Sequence, residues 1–428
     1  MKIIEFNQST VNELNELIAS KTQLEYGEIQ KTVDNVLSEV KARGDEAVFE
    51  FTRKFDKFDV NKENFLVSKE EIEKAYTLVD KELTEVIRKS AQRIREFHEK
   101  QKLNSWLEPS ESGELLGQLI RPLNRVGVYV PGGKAAYPSS VLMNVIPAKV
   151  AGVNEVVMTT PAGADGEVNP NTIVAADIAG ADKIYKVGGA QAVAALAFGT
   201  ESIERVDKIV GPGNIYVALA KKSVFGFVNI DSVAGPSEIL IIADENARAD
   251  FVAADMLSQA EHDEMASSIL VTNSKELAYK VEAELEKQLA VLERKDIAKK
   301  SLENYGAIII TEDIDTAIEI SNQIAPEHLE VCVNEPFNTL PAIKNAGAIF
   351  LGNYTPEPLG DYMAGPNHVL PTGGTARFFS PLSIDDYIKK SSVLSFSEKA
   401  MRALGEDVIK FAEAEGLTAH ANSIKIRL

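Results

Sequence analysis

A carboxylate stands directly beside an imidazole at Glu327-His328. An apolar run typical of a helix precedes this pair, and a run typical of a strand follows it. Pro326 disfavours helical backbone at Ala325, so we expect the helix to end there and the pair to lie at the mouth of a strand. Loops at strand ends commonly carry the chemistry of open α/β sheets, and histidine suits proton transfer near neutral pH. A solvated polar loop is the alternative interpretation of the pair alone.

The other histidines are few and unevenly distributed. The chain has five, and only His98 lies in the N-terminal part, among charged residues of a predicted helix. We expect His98 at the surface, without a catalytic role. His262, His328, His368 and His420 each lie beside a carboxylate, a glycine-rich loop or a helix end. A scarce residue used in this way favours one shared site for these four side chains.

Gln259 and His262 are three residues apart at the end of a predicted helix over 247–261. That spacing places both side chains on one helix face, close enough to share a ligand. An ordinary polar helix end is the alternative, because glutamine is an uncommon metal ligand. The single cysteine, Cys332, excludes a cysteine-rich zinc site, so a metal would use histidine, carboxylate or amide ligands. We expect Cys332 in a buried strand rather than as a nucleophile.

The composition, with 45% hydrophobic and 25% charged residues, is that of an ordinary globular protein. A formal net charge of -19 disfavours nucleic-acid binding, which needs a positive surface, and favours a cytoplasmic protein. No run approaches the ~18 apolar residues that cross a bilayer. The first residues also lack the apolar segment of a signal peptide. We therefore expect neither a membrane nor a nucleic-acid partner.

Short β-branched runs alternate with helical stretches from residue 126 to residue 351. The alternation predicts βαβ units and parallel sheets. Residues 1–125 and the tail from Ile384 have helical patterns, and the Pro- and Gly-rich residues 353–380 predict a functional loop. The predicted strands are 126–130, 155–159, 183–187, 206–210, 228–230, 238–242, 268–271, 307–310, 329–333 and 348–351. The predicted helices in this part are 140–151, 171–179, 190–198, 215–223, 247–261, 275–292, 314–324 and 337–345.

Three glycine-containing turns follow predicted strands, at Val130–Lys134, Val187–Gln191 and Val210–Asn214. None has the spacing of a P-loop or of the dinucleotide fingerprint G-x-G-x-x-G. The second and third turns precede helices, whose N-termini suit phosphate groups. Tight βα turns are an equally good interpretation. Ser237 begins a strand but lacks the flanking glycines of a nucleophile elbow, so we interpret it as a contact or turn residue.

From about residue 20 to residue 425 the chain resembles the histidinol dehydrogenase family. The motifs that carry the resemblance are specific together, although most are not specific singly. They are Val128–Gly133 (VYVPGG), Val210–Asn214 (VGPGN), Ala234–Glu238 (AGPSE), Gln259–His262 (QAEH), Ala325–His328 (APEH), Gly365–Pro371 (GPNHVLP) and Glu415–His420 (EGLTAH).

The resemblance implies two successive NAD-dependent oxidations of L-histidinol, through bound L-histidinaldehyde, to L-histidine, the final steps of histidine biosynthesis. It implies one zinc per subunit and a homodimer with shared sites. The implied fold is α/β, with two incomplete Rossmann-like domains of mainly parallel sheets and small helical N- and C-terminal domains. We expect residues 1–25 to form a helical segment, 26–125 with 237–380 the zinc and catalytic domain, 126–236 the NAD-binding domain, and 381–428 a helical domain reaching the partner subunit.

The resemblance also implies roles for single residues. Its zinc ligands are Gln259, His262, Asp361 and His420. Its substrate contacts are Ser237, Gln259, His262, His328, Asp361, His368, Glu415 and His420, and its NAD contacts are Tyr129, Gln191 and Asn214. His420 and Glu415 would come from the partner subunit.

In the implied mechanism, His328 takes the alcohol proton and Glu327 activates water to hydrate the aldehyde. Neighbouring strand residues face opposite sides, so the turn at Pro326 must hold this pair off a regular strand. Zinc would act mainly as a template for the substrate. Three alternatives remain. They are a zinc-dependent hydrolase with Glu327 as base, a dehydrogenase of the same family acting on another amino or hydroxy alcohol, and a non-catalytic nucleotide-binding or scaffold protein.

Overall fold

A computed structural model describes residues 1–7, 10, 11, 13, 27–132, 137–233 and 235–428 of the chain. Its strands are β1 (Lys2–Glu5), β2 (Trp106–Pro109), β3 (Glu114–Pro122), β4 (Arg125–Tyr129), β5 (Glu155–Thr159), β6 (Lys183–Tyr185), β7 (Lys208–Val210), β8 (Asn229–Ile230), β9 (Glu238–Ala243), β10 (Ser267–Thr272), β11 (Ala307–Ile310), β12 (His328–Cys332), β13 (Ala348–Leu351) and β14 (Ile388–Phe396).

The helices alternate with these strands along most of the chain. They are α1 (Gly27–Arg43), α2 (Asp45–Phe55), α3 (Lys69–Leu78), α4 (Lys81–Glu99), α5 (Pro138–Ala151), α6 (Pro170–Ala179), α7 (Gly189–Phe198), α8 (Ile215–Val224), α9 (Ala249–Ala260), α10 (Lys275–Leu289), α11 (Lys295–Tyr305), α12 (Ile314–Ile324), α13 (Glu398–Ala414) and α14 (Thr418–Lys425). Short helical turns cover Pro336–Ala342, Glu357–Leu359, Gly360–Ala364, Thr375–Arg377 and Ile384–Tyr387. None of the helices in the described ranges combines the length and apolarity that a membrane span requires.

Two parallel sheets organise the chain. One has the order β6-β5-β4-β7-β8 and the other the order β1-β11-β10-β9-β12-β13. Every strand pair in both sheets is parallel. All residues of β9, β10 and β12 are buried, as expected where helices cover both faces of a parallel sheet. The predicted α/β class with mainly parallel sheets is confirmed.

The N-terminal helices belong to the five-stranded sheet. Helix α1 packs on α7 and α8, α3 packs on α6, and α4 packs on α5. Their apolar side chains share one core with that sheet. The predicted grouping of residues 26–125 with 237–380 stays a prediction, although these helices pack on the five-stranded sheet. The physical reason is that Ala190–Ala197 of α7 are all buried, so this alanine-rich helix needs cover on its outer side as well.

We call the assembly of α1–α4 with residues 125–233 the first unit. The six-stranded sheet with its helices is the second unit. Residues 353–380, which we call the crossing loop, lead from the second unit back toward the first. The predicted loop there is confirmed, although it contains three short helical turns.

Several terminal predictions are wrong. Lys2–Glu5 is a strand at the edge of the second unit's sheet, where a helical segment was expected, and most of residues 8–26 lie outside the described residues. Ile388–Phe396 was predicted as helix but is strand β14. It pairs with β3 in an antiparallel sheet of order β14-β3-β2. Strands β2 and β3 lie within residues 1–125, which were also predicted as helical. Proline occupies two positions of Pro336–Ala342, which forms a 3-10 turn instead of the predicted α-helix.

Tyr387 anchors the C-terminal tail to the first unit. Its side chain is fully buried, and its hydroxyl donates to the Asn144 carbonyl at 2.9 Å. Beside it, the buried Lys208 ammonium donates to Asp386 Oδ1 at 2.7 Å. The tail therefore begins inside the core of the first unit before it leaves as β14.

We expect Tyr387→Ala to lower the free energy of unfolding by about 3–5 kcal/mol, because it leaves a cavity in the core. Tyr387→Phe should cost about 1 kcal/mol, because it removes one hydrogen bond and keeps the ring. Urea unfolding followed by circular dichroism measures both variants. Equal losses for the two variants would show that packing of the ring is not what holds the tail.

Candidate active site

The chain breaks at Ala325, as Pro326 predicted. Ala325 adopts the left-handed conformation with φ of 53° and ends α12, and β12 begins at His328. Glu327 therefore precedes the first strand residue, and the two side chains stay on one side. Glu327 Oε2 lies 3.7 Å from His328 Nδ1. The pair lies at the amino end of β12, whereas ligands of open α/β sheets usually bind at carboxyl ends.

The backbone of Glu238, at the start of β9, holds both side chains. Its N–H donates to Glu327 Oε2 at 2.9 Å, and its carbonyl lies 2.9 Å from His328 Nδ1. A carbonyl oxygen can only accept, so Nδ1 of His328 carries the proton. The lone pair of the neutral ring is then on Nε2. This nitrogen is free to act as a base.

Burial controls the protonation of the pair. Glu327 and His328 are 6% and 4% exposed. Burial raises the pKa of Glu327 well above its ordinary value, and the nearby carboxyl of Glu238 raises it further. Burial lowers the pKa of His328 to about 4, against the opposing charge of Asp361. The imidazole is therefore neutral at physiological pH, which is the form a general base needs.

The start of the crossing loop brings two carboxyl groups, those of Glu357 and Asp361, close to His328. His328 Nε2 lies 3.8 Å from Glu357 Oε1, and Asp361 Oδ1 lies 3.4 Å from His368 Nδ1. Ligand-type atoms of His328, Glu357 and Asp361 all lie within 4.8 Å of one another. Burial, and then the charge of Asp361, raises the pKa of Glu357 to about 9. Sequence reasoning missed Glu357, although its spacing of four residues from Asp361 is the signal that would have found it.

Gln259 and His262 lie at the same edge of the second unit. Helix α9 runs antiparallel to the strands, so its carboxyl end lies beside the amino ends of β10 and its neighbours. The His262 ring is close enough to His328 for its charge to lower the pKa of His328. Gln259 is 1% exposed, and its Oε1 has no hydrogen-bond partner within the described ranges. Ser237 immediately precedes β9 at this edge.

This donor set fits a metal. A buried amide oxygen without a partner, imidazole nitrogens and a carboxylate are ligands that zinc accepts in sites with an open position. Burial opposes ionisation of Asp361, but its contacts with His368 and His328 lower its pKa overall. Asp361 therefore offers a carboxylate rather than a carboxylic acid at neutral pH.

His420 and Glu415 are not part of this cluster in the single chain. Both are exposed, on the C-terminal segment that contains α13 and α14. These two helices pack on each other, and α13 also packs on β14. Of the predicted metal ligands, Gln259 and His262 lie at one edge of the second unit, Asp361 lies on the crossing loop near His328, and His420 lies elsewhere on the surface.

The predicted NAD contacts lie at the carboxyl edge of the first unit's sheet. Tyr129 ends β4, and its hydroxyl accepts from the Gly189 N–H at 3.1 Å. Gln191 is fully buried in the first turn of α7, and its Oε1 has no partner within the described residues. Asn214 caps α8, where its Oδ1 accepts from the next turn. Strand β4 lies between β5 and β7, where the strand order reverses, which is the usual position of a nucleotide in such sheets.

Asp56 is a further residue at this edge that sequence reasoning missed. Its Oδ2 lies 3.5 Å from Gln191 Nε2, and burial raises its pKa to about 6. Because it follows α2, far from the glycine turns in sequence, no local pattern pointed to it. Two motif residues, Gly133 and Ala234, lie outside the described residues.

Comparison with known proteins decides the family. The family model described as histidinol dehydrogenase matches residues 19–428. The chain belongs to the histidinol dehydrogenase family. A relative named histidinol dehydrogenase from Clostridium acetobutylicum is 60% identical over 94% of this chain and 93% of its own length. Another of that name, from Caldanaerobacter subterraneus, is 57% identical over 96% of this chain and 95% of its own.

A solved structure agrees with the sequence relatives. The crystal structure of histidinol dehydrogenase from Elizabethkingia anophelis superposes with a TM-score of 0.94 at 39% identity, covering 100% of this chain and 98% of that one. The predicted family, fold class and enzyme class are confirmed, and the chain is an NAD-dependent oxidoreductase of this family. Membership of the histidinol dehydrogenase family does not favour the hydrolase or the scaffold interpretation.

Glu330 holds Glu357 in the cluster. It lies two residues after His328 on β12 and therefore faces the same side. Its Oε1 accepts from the Glu357 N–H at 2.7 Å. Burial, and then the charge of Asp255, raises the pKa of Glu330 well above its ordinary value.

We expect Glu330→Gln to stabilise the protein increasingly as the pH rises above about 4.3, the pKa of an unfolded glutamate. Folded Glu330 retains its proton there while the unfolded residue releases it, so the wild-type stability falls with rising pH. The glutamine still offers an oxygen to Glu357. Urea unfolding of both proteins between about pH 5 and pH 8 should show a widening gap. A constant gap would contradict the raised pKa of Glu330.

Proposed function

We propose that this member of the histidinol dehydrogenase family oxidises L-histidinol to L-histidine in two NAD-dependent steps, with the aldehyde kept bound between them. The observation that carries the proposal is the buried Glu327–His328 pair beside the donor set of Gln259, His262 and Asp361. The names of the relatives support the substrate. L-Histidinol itself offers an imidazole and an amine, which are good metal ligands.

His328 acts as the base in the first oxidation. Its Nε2 takes the proton of the alcohol as the hydride passes from the carbinol carbon to NAD, which leaves the aldehyde. The hydrogen bond from Nδ1 to the Glu238 carbonyl keeps the ring oriented throughout. The carboxylate of Asp361 favours the imidazolium that forms, since its charge raises the pKa of His328. Burial of the ring keeps bulk water away from the reactive aldehyde.

Glu327 prepares the second oxidation. Its ionised carboxylate takes a proton from water as the water oxygen bonds to the aldehyde carbon, and the proton that His328 took in the first oxidation passes to the aldehyde oxygen, giving a hydrate. His328, after releasing its first proton, takes a hydroxyl proton of the hydrate as a second hydride leaves for NAD, and the product is a carboxylic acid. The ionised form of Glu327 is the reactive one, and its raised pKa makes that form a stronger base toward water.

We infer one zinc per subunit, held by Gln259, His262, Asp361 and the partner's His420. When bound, the metal supplies a template that orients the substrate nitrogens. The orphaned oxygen of Gln259 and the carboxylate form of Asp361 support this set. Ser237, His368 and the partner's Glu415 would complete the substrate contacts. Tyr129, Gln191 and Asn214 would bind NAD at the first unit.

We also propose a homodimer whose sites are shared. The C-terminal helices expose Phe411 at 72% and Ile426 at 71%, and almost all of β14 is exposed. Such apolar exposure suits burial against a second copy of the chain. In such a dimer, the C-terminal helices of one subunit would carry His420 to the site of the other subunit. Within its own subunit, His420 does not join the site. The acidic composition and the single free thiol, Cys332, suit a cytoplasmic enzyme.

Each L-histidinol should yield two molecules of NADH, one from each oxidation, with no free aldehyde. Removal of metal with a chelator should abolish the yield, and zinc should restore it. Absorbance of NADH and trapping of aldehyde measure both quantities. A yield of one NADH with released aldehyde would overturn the second step, and no NADH would overturn the substrate.

Glu327→Gln and His420→Ala should each be inactive, because one lacks the water-activating carboxylate and the other a zinc ligand. The glutamine keeps the oxygen that accepts from Glu238. Co-expression of the two variants should restore about a quarter of wild-type activity, because each mixed dimer has one intact site.

The zinc content of His420→Ala, measured by elemental analysis, should fall, and that of Glu327→Gln should not. No recovery in the mixture of two inactive variants would place His420 in its own subunit's site. Unchanged zinc in His420→Ala would remove it from the ligand set.

A further inference from the structure

The part of the crossing loop that carries Asp361 and His368 is held by the first unit, not by the sheet that carries Glu327 and His328. Ser90 Oγ, on α4, donates to the Tyr362 carbonyl at 2.6 Å. The Arg93 side chain donates to the Met363 carbonyl. Two residues of one helix thus hold the backbone immediately after Asp361.

The same helix passes close to the next residues of the loop. Gly365 has a φ of 108°, and a Cβ at this position would lie 2.8 Å from the Arg93 carbonyl oxygen. Only glycine fits both the conformation and the approach. The loop therefore lies directly on α4 before it turns toward His368.

Asn367 makes the last attachment, one residue before His368. Its Nδ2 donates to the Met143 carbonyl at 2.6 Å and lies 3.4 Å from His98 Nε2. Its Oδ1 accepts from the Val369 N–H at 2.9 Å. Asn367 is 5% exposed, so its amide is largely shielded from bulk water.

His98 is completely buried, which corrects the predicted surface position. Its charged sequence neighbours face solvent while the ring faces the loop. Nδ1 lies 2.7 Å from Gln101 Oε1, an acceptor, so Nδ1 carries the proton and Nε2 presents a lone pair to Asn367. Gln101 Oε1 also accepts from the Ile384 N–H. The ring therefore joins α4 to the loop on one side and to the tail on the other.

We propose that His98, acting through Asn367, is a positioning residue that fixes His368 and Asp361 against the Glu327–His328 pair. The inference rests on the proposed function, because Asp361 and His368 are given their roles there. Its consequence is specific. A residue of the unit that binds NAD controls the zinc and histidinol half of the site, which lies on the other unit. A misplacement of a reacting group by about 1 Å commonly costs up to 10²-fold in rate.

The test is His98→Phe, which keeps an aromatic ring and removes the lone pair that faces Asn367. We expect kcat for L-histidinol oxidation to fall about tenfold or more and zinc per subunit to fall. NADH affinity, measured by fluorescence titration without turnover, should stay close to wild type. His98→Gln, whose amide oxygen can accept from Asn367, should recover part of the loss.

Tyr76→Phe is the matched control. It removes the 2.7 Å bond from the Tyr76 hydroxyl to Asp177 Oδ2, which joins α3 to α6 in the same unit, away from the crossing loop. We expect Tyr76→Phe to lose a small amount of thermal stability, similar to the loss in His98→Phe. Its kcat and zinc content should be unchanged. Ser90→Ala, which releases the Tyr362 carbonyl, serves if His98→Phe does not fold, and should show the same pattern more weakly.

Two outcomes would overturn the proposal. Normal zinc and kcat in His98→Phe, or in Ser90→Ala where it is used, would show that the attachment does not position the loop. Loss of NADH affinity in step with zinc and kcat would show a general structural role. If wild-type protein does not oxidise L-histidinol, the proposed function fails, and the zinc and NADH measurements still decide the role of His98.

Discussion

The hydrogen bond between His328 Nδ1 and the Glu238 carbonyl is the constraint on which the site depends. It exists because β12 pairs with β9 in parallel, with His328 opposite Ile239. The sheet backbone thereby chooses the tautomer of the ring and directs Nε2 toward the carboxyl groups of the crossing loop. The adjacent N–H of Glu238 holds Glu327 in the same way. The backbone of the single residue Glu238, in a buried sheet, thus orients both Glu327 and His328.

The two units use opposite edges of their sheets. In the first unit, Tyr129 and Gln191 lie at the carboxyl edge where strand order reverses, which is the usual position of a ligand in open α/β sheets. In the second unit, the chemistry lies at the amino edge, where the end of α9 and the starts of β9 and β12 meet. In most open α/β sheets the loops that enclose a ligand lie at the opposite, carboxyl edge. The crossing loop supplies that enclosure from the same chain, and the partner subunit supplies the rest in the proposed dimer.

The attachment of the crossing loop to α4 explains why a helix of the first unit matters to the second. Near one end of the segment 361–368, the Tyr362 carbonyl accepts from Ser90 Oγ at 2.6 Å. Near the other end, Asn367 Nδ2 donates to the Met143 carbonyl at 2.6 Å. A loop held only at its ends by its own sheet would leave Asp361 and His368 free to move apart. Held along its length, it keeps both at fixed distances from His328.

Much of the fold was readable because buried parallel strands are apolar runs between helical periods. The boundaries of β5, β11, β13 and α12 were predicted without error. Strand β14 was not, because it is largely exposed and polar, and only its pairing with β3 makes it a strand. The partner of the N-terminal helices was also unreadable, since an apolar helix face does not specify which surface it covers.

The sequence by itself determined the residue types of the site, the break at Pro326 and the family motifs. These depend on local backbone preference and on side-chain chemistry, which single residues carry. Only the tertiary structure decided the tautomer of His328, the presence of Glu357 and Asp56, and the burial of His98. Each of these follows from groups distant in sequence that meet in space, and no local pattern encodes such a meeting.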